Sequence, residues 1–401
     1  MDLSYAEEYE RFRHEVRAFV EAHRDHAPEA SGVMGGRASD DLLAWQKLLI
    51  ERGYAARTIP RAYGGYGGEP DIVATIIVGE EFARAGVPLG ISGPGVNMLI
   101  PTLLAHGSEE QKQRWIAPTI RGELVWCQGY SEPGAGSDLA NLKTTAREVD
   151  DDFLINGQKI WTSSAHVADM MFLLVRTEPD VPRHGGISYL LLPMDTPGIE
   201  VRPLRTMTGD AEFNQVFFSD VRVPRANLVG QRGEGWKIAN TTLAFERAAA
   251  GDAGQMETMF QSLVQLTQAE SRNGVSAIDD PLFRDRLLRL QARVLSMKAH
   301  SMRMLTCQLR SESPGVAGLV VKLRACELMH QMAALALDVM GELGALYHGS
   351  KYERAAGYWQ TEHMQWLGFT IGGGTAQIQK NIIAERGLGL PREPKPAASR
   401  R

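Results

Sequence analysis

The chain has 401 residues, of which 44% are hydrophobic and 23% are charged, and its formal net charge at pH 7 is −5. This composition excludes a largely disordered chain, and the sequence pI near 6.1 lacks the basic surplus of a nucleic-acid-binding protein. The three cysteines are odd in number and far apart, so neither a disulfide framework nor a metal cluster is expected.

The N-terminus is acidic and has no apolar core of the kind found in secretory signals. No run approaches the ~20 apolar residues that a membrane-spanning helix needs. We therefore expect a cytoplasmic protein, and a length of this order predicts roughly two to three domains.

The first part of the chain predicts an N-terminal helical domain over residues 1–123. Apolar residues recur three and four positions apart in 5–19 and again in 42–49, with Gly53 as a helix stop. A further helix is predicted over 71–85. Ser4 with Glu7, and Ser108 with Gln111, have the spacing of a capping box, in which side chains satisfy the free amides of the first turn.

The middle part predicts a β domain, a small barrel or sandwich, over residues 124–232. Five β-rich runs are bounded by turn residues: 142–149, 153–161, 170–176, 187–193 and 214–223. Asn156-Gly157 lies inside the second run, and this dipeptide is a strong signal for a two-residue hairpin turn.

From residue 233 the helical period returns, and we expect a helical bundle over 233–390 with a mobile, proline-rich tail at 391–401. Two buried stripes are predicted: Leu287, Leu290, Val294, Met297 and Met304, then Leu319, Leu323, Cys326, Met329 and Met332. The fold class is therefore α+β, in the order helices, strands, helices.

The most specific motif is YSEPGAGSD at residues 130–138, which we call the glycine-rich turn. Glycines permit positive φ and close backbone approach, so such a turn can present amides to a ligand. It is not a phosphate-binding P-loop, because no Gly-Lys-Ser/Thr follows. Taken alone, the motif also fits a purely structural corner.

Three segments in order resemble the acyl-CoA dehydrogenase family. They are the glycine-rich turn, NGQKIWTS at 156–163, and GTAQIQ at 374–379 followed by AER at 384–386. The resemblance covers nearly the whole chain and implies that family's fold, a helical domain, a β domain and a C-terminal four-helix bundle. It also implies FAD as the cofactor and an acyl-CoA as the substrate.

The resemblance implies flavin contacts at the end of the first strand and at the second motif. Tyr130 and Ser131, by backbone and side chains, hold the pyrimidine end of the flavin, and Gln128 precedes them. Trp161 lies near the ring, although it also fits an ordinary tryptophan of the β domain. Thr162 and Ser163 lie beside it, and the Ser163 hydroxyl faces flavin N5, where electron density grows when hydride arrives. Ser137 contacts the CoA portion.

The remaining cofactor contacts are implied in the C-terminal domain and across a subunit boundary. Arg272 is the nearest match to an arginine that meets the pyrophosphate, and Asp338 lies near the adenosine portion. ESRNG at 270–274 departs from the family pattern, so Arg272 is also compatible with a solvated charge at a helix end. Thr375 and Gln377 remain near the flavin.

The catalytic base is not at its commonest place in the family. Many members carry the glutamate two residues before the threonine of the third motif, where this chain has Gly373. A minority carry it in a Glu-Arg pair early in the C-terminal domain, and TLAFER at 242–247 matches. Glu246 is therefore the candidate base and Arg247 a substrate contact, although such a pair is often merely solvated. The Gly373 amide still polarises the thioester carbonyl.

The leading hypothesis is an acyl-CoA dehydrogenase that forms a trans-2-enoyl-CoA and passes electrons to an electron-transferring flavoprotein, as a homotetramer. An acyl-CoA oxidase, in which O2 reoxidises the flavin, is an alternative. A second alternative is one subunit of a hetero-oligomer, of the type that shortens steroid side chains, with a paralogous partner.

Overall fold

The computed structural model describes residues 5–28, 37–249, 253–272, 274–310, 312–313, 315–347 and 349–392. The chain forms two compact units, Met1–Glu246 and Arg247–Arg401. Most of the predicted tail, residues 393–401, lies outside the described part. Among the described residues, no helix is both long and apolar enough to cross a membrane.

Helices open the first unit, and local signals set their ends. They are α1 (Glu7–His23), α2 (Asp40–Arg52), α3 (Ile72–Ala85), α4 (Ile100–His106) and α5 (Glu109–Ile120). The predicted stop at Gly53 is confirmed, with φ of +72°, and so is the capping box of Ser108 and Gln111. The capping box at Glu7 is wrong, because Ala6 is the N-cap of α1. Its other member, Ser4, lies outside the described residues.

Glu81 on α3 joins α1 to α3 through a buried charge cluster. Its side chain is 2% exposed and accepts hydrogen bonds from Arg13 at 3.0 Å, Arg17 at 2.9 Å and Arg84 at 3.0 Å. The hydrogen bond from Arg17 is the largest cause that lowers the pKa of Glu81 to about 2, and the bonds from Arg13 and Arg84 act with it against burial. The carboxylate is thus stabilised in the folded state.

We expect Glu81→Gln to lower the free energy of unfolding at pH 7 by about 3 kcal/mol. The folded-state pKa of Glu81 lies below its unfolded value of 4.5, so its contribution is complete above pH 4.5 and is lost as the pH falls towards about 2. Urea denaturation at pH 7 and pH 4 measures this difference. Glu80→Gln is the control, because Glu80 is 41% exposed and, among the described residues, forms an ion pair only with Arg13; equal effects of the two variants would contradict the assignment.

Eight strands follow and form one mixed sheet. They are β1 (Trp126–Gly129), β2 (Thr145–Val149), β3 (Asp152–Ser163), β4 (Met170–Arg176), β5 (Ile187–Pro193), β6 (Ile199–Leu204), β7 (Phe213–Pro224) and β8 (Leu228–Val229). The order is β6-β7-β3-β2-β4-β5-β8, with β1 beside β4. The β4 pairings with β1 and β2 are parallel, and the others are antiparallel. Because β4 and β5 are buried on both faces, the sheet separates two apolar cores.

The hairpin predicted at Asn156-Gly157 is wrong, because β3 runs through this dipeptide as one strand. The register against β7 shifts between Ile155 and Gly157, which makes the site a β-bulge. Gly157 has φ of +146° and packs so closely on Thr144 that a Cβ would come within 2.6 Å of its hydroxyl. The hairpin turn lies instead before β3, where Asp150 has φ of +57°.

The C-terminal unit is a helical bundle with one apolar core. After α6 (Gly235–Ala249) come α7 (Ala253–Ala269), a short β9 (Ser271–Arg272) and β10 (Val275–Ser276) pair, then α8 (Pro281–Leu309), α9 (Val316–Met340), α10 (Tyr358–Phe369) and α11 (Ala376–Ile382). Side chains of α7, α8, α9 and α10 share the core, including most of both predicted stripes. The predicted order of a helical domain, a β domain and a helical bundle is confirmed.

Candidate functional site

The glycine-rich turn follows β1, and the side chain of its first residue, Tyr130, lies in the core. The Tyr130 side chain is 5% exposed and packs edge-to-face on Phe172 and on Tyr189. Glu132 and Ala135 close the turn with reciprocal backbone hydrogen bonds of 3.1 and 3.0 Å. The backbone of Tyr130, rather than its ring, is therefore the part that can meet a ligand.

The far end of the turn is open to solvent. Ser137 and Asp138 are both exposed, and Asp138 accepts a hydrogen bond from Arg183 at 3.0 Å. Nearby in the sequence, His184 packs on Trp236 with ring centroids 4.5 Å apart. Ser137 thus lies in an accessible region that is rich in polar and aromatic groups.

The end of β3 holds an exposed tryptophan in an unfavourable backbone conformation. Trp161 has φ of +61° and is 59% exposed, with its indole edge-to-face on Phe213 at 6.0 Å. The β3–β7 register shifts between Lys159 and Thr162. A bulky residue in the left-handed region costs about 1–3 kcal/mol and is most often retained at functional sites. The indole held in this strained conformation faces solvent.

Two buried polar side chains, one next to Trp161 in the sequence and one on β1, lack partners within the described residues. Thr162 is fully buried, and its hydroxyl has no hydrogen-bond partner; its carbonyl oxygen accepts from Asn214 at 3.0 Å. The Gln128 amide nitrogen on β1 is also buried and unpartnered. Ser163, the last residue of β3, is half-buried. Unsatisfied buried groups are rare in folded proteins and call for a further partner.

A buried ion pair joins the glycine-rich turn to β3. The Lys159 ammonium is fully buried and donates to Glu132 at 2.8 Å and to the Tyr130 carbonyl at 3.0 Å. Glu132 also accepts from the backbone amides of Lys143 and Thr144 at 2.6 and 2.9 Å. Burial lowers the pKa of Lys159. Burial acts to raise the pKa of Glu132, but Lys159 and the amides outweigh it and lower that pKa.

The helix that carries the candidate base is fixed by buried hydroxyl groups. On α6, Thr242 lies 2.9 Å from the Thr102 hydroxyl of α4 and 3.5 Å from the Tyr189 hydroxyl of β5. Position 246 lies one turn later on the same helix face. The backbone of residues 246 and 247 is helical, but the side chains of Glu246 and Arg247 lie outside the described part.

In the C-terminal unit, the third motif forms a glycine loop before α11. Gly373 and Gly374 have φ of +62° and +93°, a backbone conformation that residues with a Cβ rarely adopt. The Gly374 carbonyl accepts from buried Lys322 at 2.7 Å. Thr375 caps α11 by accepting from the Ile378 amide at 3.1 Å. The loop is thus held from the bundle side, and Gly373 is exposed on it.

Of the other implied contacts of this unit, one directly follows the glycine loop and two lie far from it in the sequence. Gln377 is exposed on α11. Asp338 lies near the end of α9 and is about half exposed, and Arg286 of α8 donates to its carboxylate at 2.6 Å. Arg272 lies in the short β9–β10 pair, and its side chain lies outside the described part. Asp338 is thus already engaged by a cation.

Within the first unit, the structure brings the two predicted flavin segments together. The Ile160 amide donates to the Ser131 carbonyl at 2.9 Å, directly between them. The sequence did not predict the Glu132–Lys159 pair or the hydrogen bond from Lys322 to the Gly374 carbonyl. A charged residue inside an apolar β-run, as Lys159 is, was the available signal for a buried partner.

Family comparisons cover the whole described architecture. The acyl-CoA dehydrogenase N-terminal domain matches residues 6–123, the middle domain matches 127–221, and the C-terminal domain matches 233–388. The chain is 38% identical over 395 residues to acyl-CoA dehydrogenase IpdE1 of Mycobacterium tuberculosis, with 97% of this chain and 100% of that protein covered.

Two solved structures share the fold over nearly the full chain. The structure described as the Tcur3481-Tcur3483 steroid ACAD is 30% identical, with a TM-score of 0.82 and coverage of 98% of this chain and 100% of that one. The ChsE4-ChsE5 complex from Mycobacterium tuberculosis is 31% identical, with a TM-score of 0.80 and coverage of 98% and 100%. The chain therefore belongs to the acyl-CoA dehydrogenase family, a family of FAD flavoproteins, and is an oxidoreductase of the acyl-CoA dehydrogenase type.

Proposed function

We propose that this chain catalyses the α,β-dehydrogenation of an acyl-CoA thioester to a trans-2-enoyl-CoA, with FAD as its cofactor. The observation that carries the proposal is the strained, solvent-facing Trp161 beside the glycine-rich turn. The end of β1, the glycine-rich turn and the end of β3 offer groups that suit a flavin: a flat indole, the half-buried Ser131 and Ser163, and the unpartnered Gln128 amide. FAD, when bound, accepts the β-hydride at N5.

The chain's own residues supply positioning, a proton acceptor and carbonyl polarisation. The Tyr130 backbone and Ser131 hold the pyrimidine end, while Trp161, Thr162 and Ser163 border the ring. Thr375 and Gln377 contribute from the glycine loop, and Arg272 and Asp338 serve the pyrophosphate and adenosine portions.

The substrate is held at both ends of its reacting region. Ser137 and Arg247 bind the CoA arm, and the Gly373 amide donates to the thioester carbonyl. This polarisation acidifies the α carbon, from which Glu246 takes the proton. An electron-transferring flavoprotein is the proposed acceptor of the electrons.

The substrate class we propose is a branched, cyclic or steroid-like acyl-CoA. We place one wall of the acyl pocket at Gly372, Gly373 and Gly374, which carry no side chains. A Cβ on Gly372 would have the Gly368 carbonyl, at 3.7 Å, as its one described neighbour within 4 Å. The 30% identical relative described as a steroid ACAD supports the same class. Each buried methylene contributes about 0.8 kcal/mol, so a short straight chain would fill this space poorly.

We expect the purified protein to be yellow and to bleach anaerobically with its substrate. The test is a panel of straight, branched and steroid acyl-CoAs, followed by flavin absorbance and by kcat/KM with an artificial acceptor. Bulky thioesters are expected to give kcat/KM at least tenfold above butyryl-CoA and hexanoyl-CoA. Folded protein that stays without flavin absorbance even when the paralogue is coexpressed contradicts the proposed activity, and an optimum at a short straight chain contradicts the substrate class.

The proposed assembly is a tetramer that pairs the long α8 helices. Leu288 and Leu295 are seven residues apart and Leu309 lies fourteen residues further on; they are 54%, 58% and 58% exposed. Ala292 and Ala299, also exposed, lie between them. Alternate spacings of three and four are typical of a helix seam that packs on another helix.

We expect Leu295→Glu to break this assembly, because it places a charge in the α8 seam. Light scattering after size exclusion should show a mass of half or a quarter of the wild-type tetramer. Leu282→Glu is the control, since Leu282 is 76% exposed on the same helix but outside the seven-residue register. An unchanged tetramer in Leu295→Glu would refute the seam.

A heterotetramer with a paralogous chain is the second candidate, favoured by the two-chain names of both similar structures. Expressing this chain without its paralogue distinguishes the homotetramer from the heterotetramer. A colourless product of lower mass that becomes yellow when the paralogue is coexpressed favours the heterotetramer.

A further inference from the structure

The Glu132–Lys159 pair lies between the two segments that the proposed function assigns to the flavin. Glu132 follows Ser131 in the glycine-rich turn, and Lys159 precedes Trp161 by two residues on β3. The pair is almost wholly inaccessible to solvent, at 8% and 0% exposure. A lysine at this depth must be matched by strong acceptors, and its second acceptor is the Tyr130 carbonyl at 3.0 Å.

That carbonyl belongs to the same peptide group as the Ser131 amide. A cation that hydrogen-bonds to a peptide oxygen draws electron density from the nitrogen, which makes the N–H a stronger donor. The Ser131 carbonyl is also engaged, by the Ile160 amide at 2.9 Å. The peptide on each side of Ser131 is therefore fixed by β3, and one of them is polarised by a full charge.

We propose that Lys159 is a positioning and tuning residue for the flavin, acting through the Tyr130–Ser131 peptide. The inference rests on the proposed function, in which this peptide faces the pyrimidine end. Reduction places negative charge on that end, so a stronger amide donor favours the reduced cofactor. Lys159 thereby raises the flavin reduction potential, while Glu132 keeps the lysine charged and in place.

A purely structural role makes a different prediction. If the pair only tied the turn to β3, a neutral pair of similar shape would restore folding, cofactor affinity and potential together. If Lys159 tunes the peptide, the neutral pair restores folding but not the potential. Glu132→Gln/Lys159→Met is this neutral pair, and Glu132→Gln alone leaves the buried lysine without the carboxylate that keeps it charged.

The experiment compares holoenzymes of the wild type, the double variant, Glu132→Gln and Lys298→Met. Lys298→Met is the matched control, because Lys298 forms a 3.0 Å ion pair with Glu257 but is 50% exposed. Circular dichroism verifies folding, reconstitution of apoprotein gives the Kd for FAD, and spectroelectrochemistry gives the midpoint potential. No turnover measurement is needed.

We expect the double variant to fold, to bind FAD about tenfold more weakly and to have a lower midpoint potential than the wild type. Glu132→Gln should also lower the midpoint potential, because the buried lysine loses the carboxylate that keeps it charged, and Lys298→Met should match the wild type. A folded double variant with wild-type affinity and potential overturns the inference, as does a shift in Lys298→Met as large as that of the double variant. Wild-type protein that binds no FAD, alone or with the paralogue, would instead refute the proposed function.

Discussion

Glu246→Gln is expected to retain FAD and to lose turnover by about 10³–10⁴-fold, the upper range for a general base. Glutamine keeps the size and hydrogen bonding of the glutamate but cannot accept the α proton. The alternative position cannot compensate, because Gly373 has no side chain. Position 246 also lies one turn from Thr242, which is fixed to α4 by the 2.9 Å hydroxyl contact with Thr102.

Anaerobic single-turnover bleaching of the flavin by the best substrate of the panel measures this loss directly. Glu257→Gln on α7 is the control, since Glu257 is 44% exposed in a surface ion pair with Lys298 and should leave the rate unchanged. The ratio of flavin to protein must stay constant in both variants. A Glu246→Gln enzyme that bleaches at nearly the wild-type rate would show that another group takes the proton.

Lys159→Met is expected to cost about 3–5 kcal/mol of folding free energy, the largest effect on stability that the described residues suggest. The substitution leaves the Glu132 carboxylate buried without its cation, and the amides of Lys143 and Thr144 offset only part of that loss. Removing both charges in Glu132→Gln/Lys159→Met should recover most of the stability, because no uncompensated charge remains.

Urea denaturation, followed by tryptophan fluorescence, of the wild type, Lys159→Met, Glu132→Gln and the double variant gives the four corners of this double-mutant cycle. Lys298→Met serves as the surface control and should change the free energy of unfolding by less than about 1 kcal/mol. Equal destabilisation by Lys159→Met and Lys298→Met, or a double variant less stable than either single variant, would refute a coupled buried pair.

Local chemistry in the sequence was enough to predict much of the helical framework. Gly53 ends α2 because only a residue without Cβ readily takes its positive φ. Ser108 and Gln111 begin α5 because their side chains satisfy first-turn amides that have no partner within the helix. The apolar stripes of α8 and α9 likewise required a buried face. These signals act within one or two turns, so tertiary packing did not change them.

Tertiary context overruled the local signal at Asn156-Gly157. The dipeptide favours a tight turn, yet β3 continues through it as a bulge because strands on both sides pair with it. Asn156 and Asp220 exchange hydrogen bonds of 2.9 and 3.0 Å across the β3–β7 pair. The strand β6, whose side chains alternate between half-buried and exposed, gave too weak a pattern to predict.

The sequence by itself determined the family resemblance and the order of the domains, and it predicted the two flavin segments, because motif chemistry is written in consecutive residues. Only the tertiary structure showed that the Tyr130 ring lies in the core, that Trp161 is held outward by strain, and that Lys159 connects both segments. These features depend on burial and on the distance between strands. Both are fixed only when the sheet forms and brings together residues that are far apart in the chain.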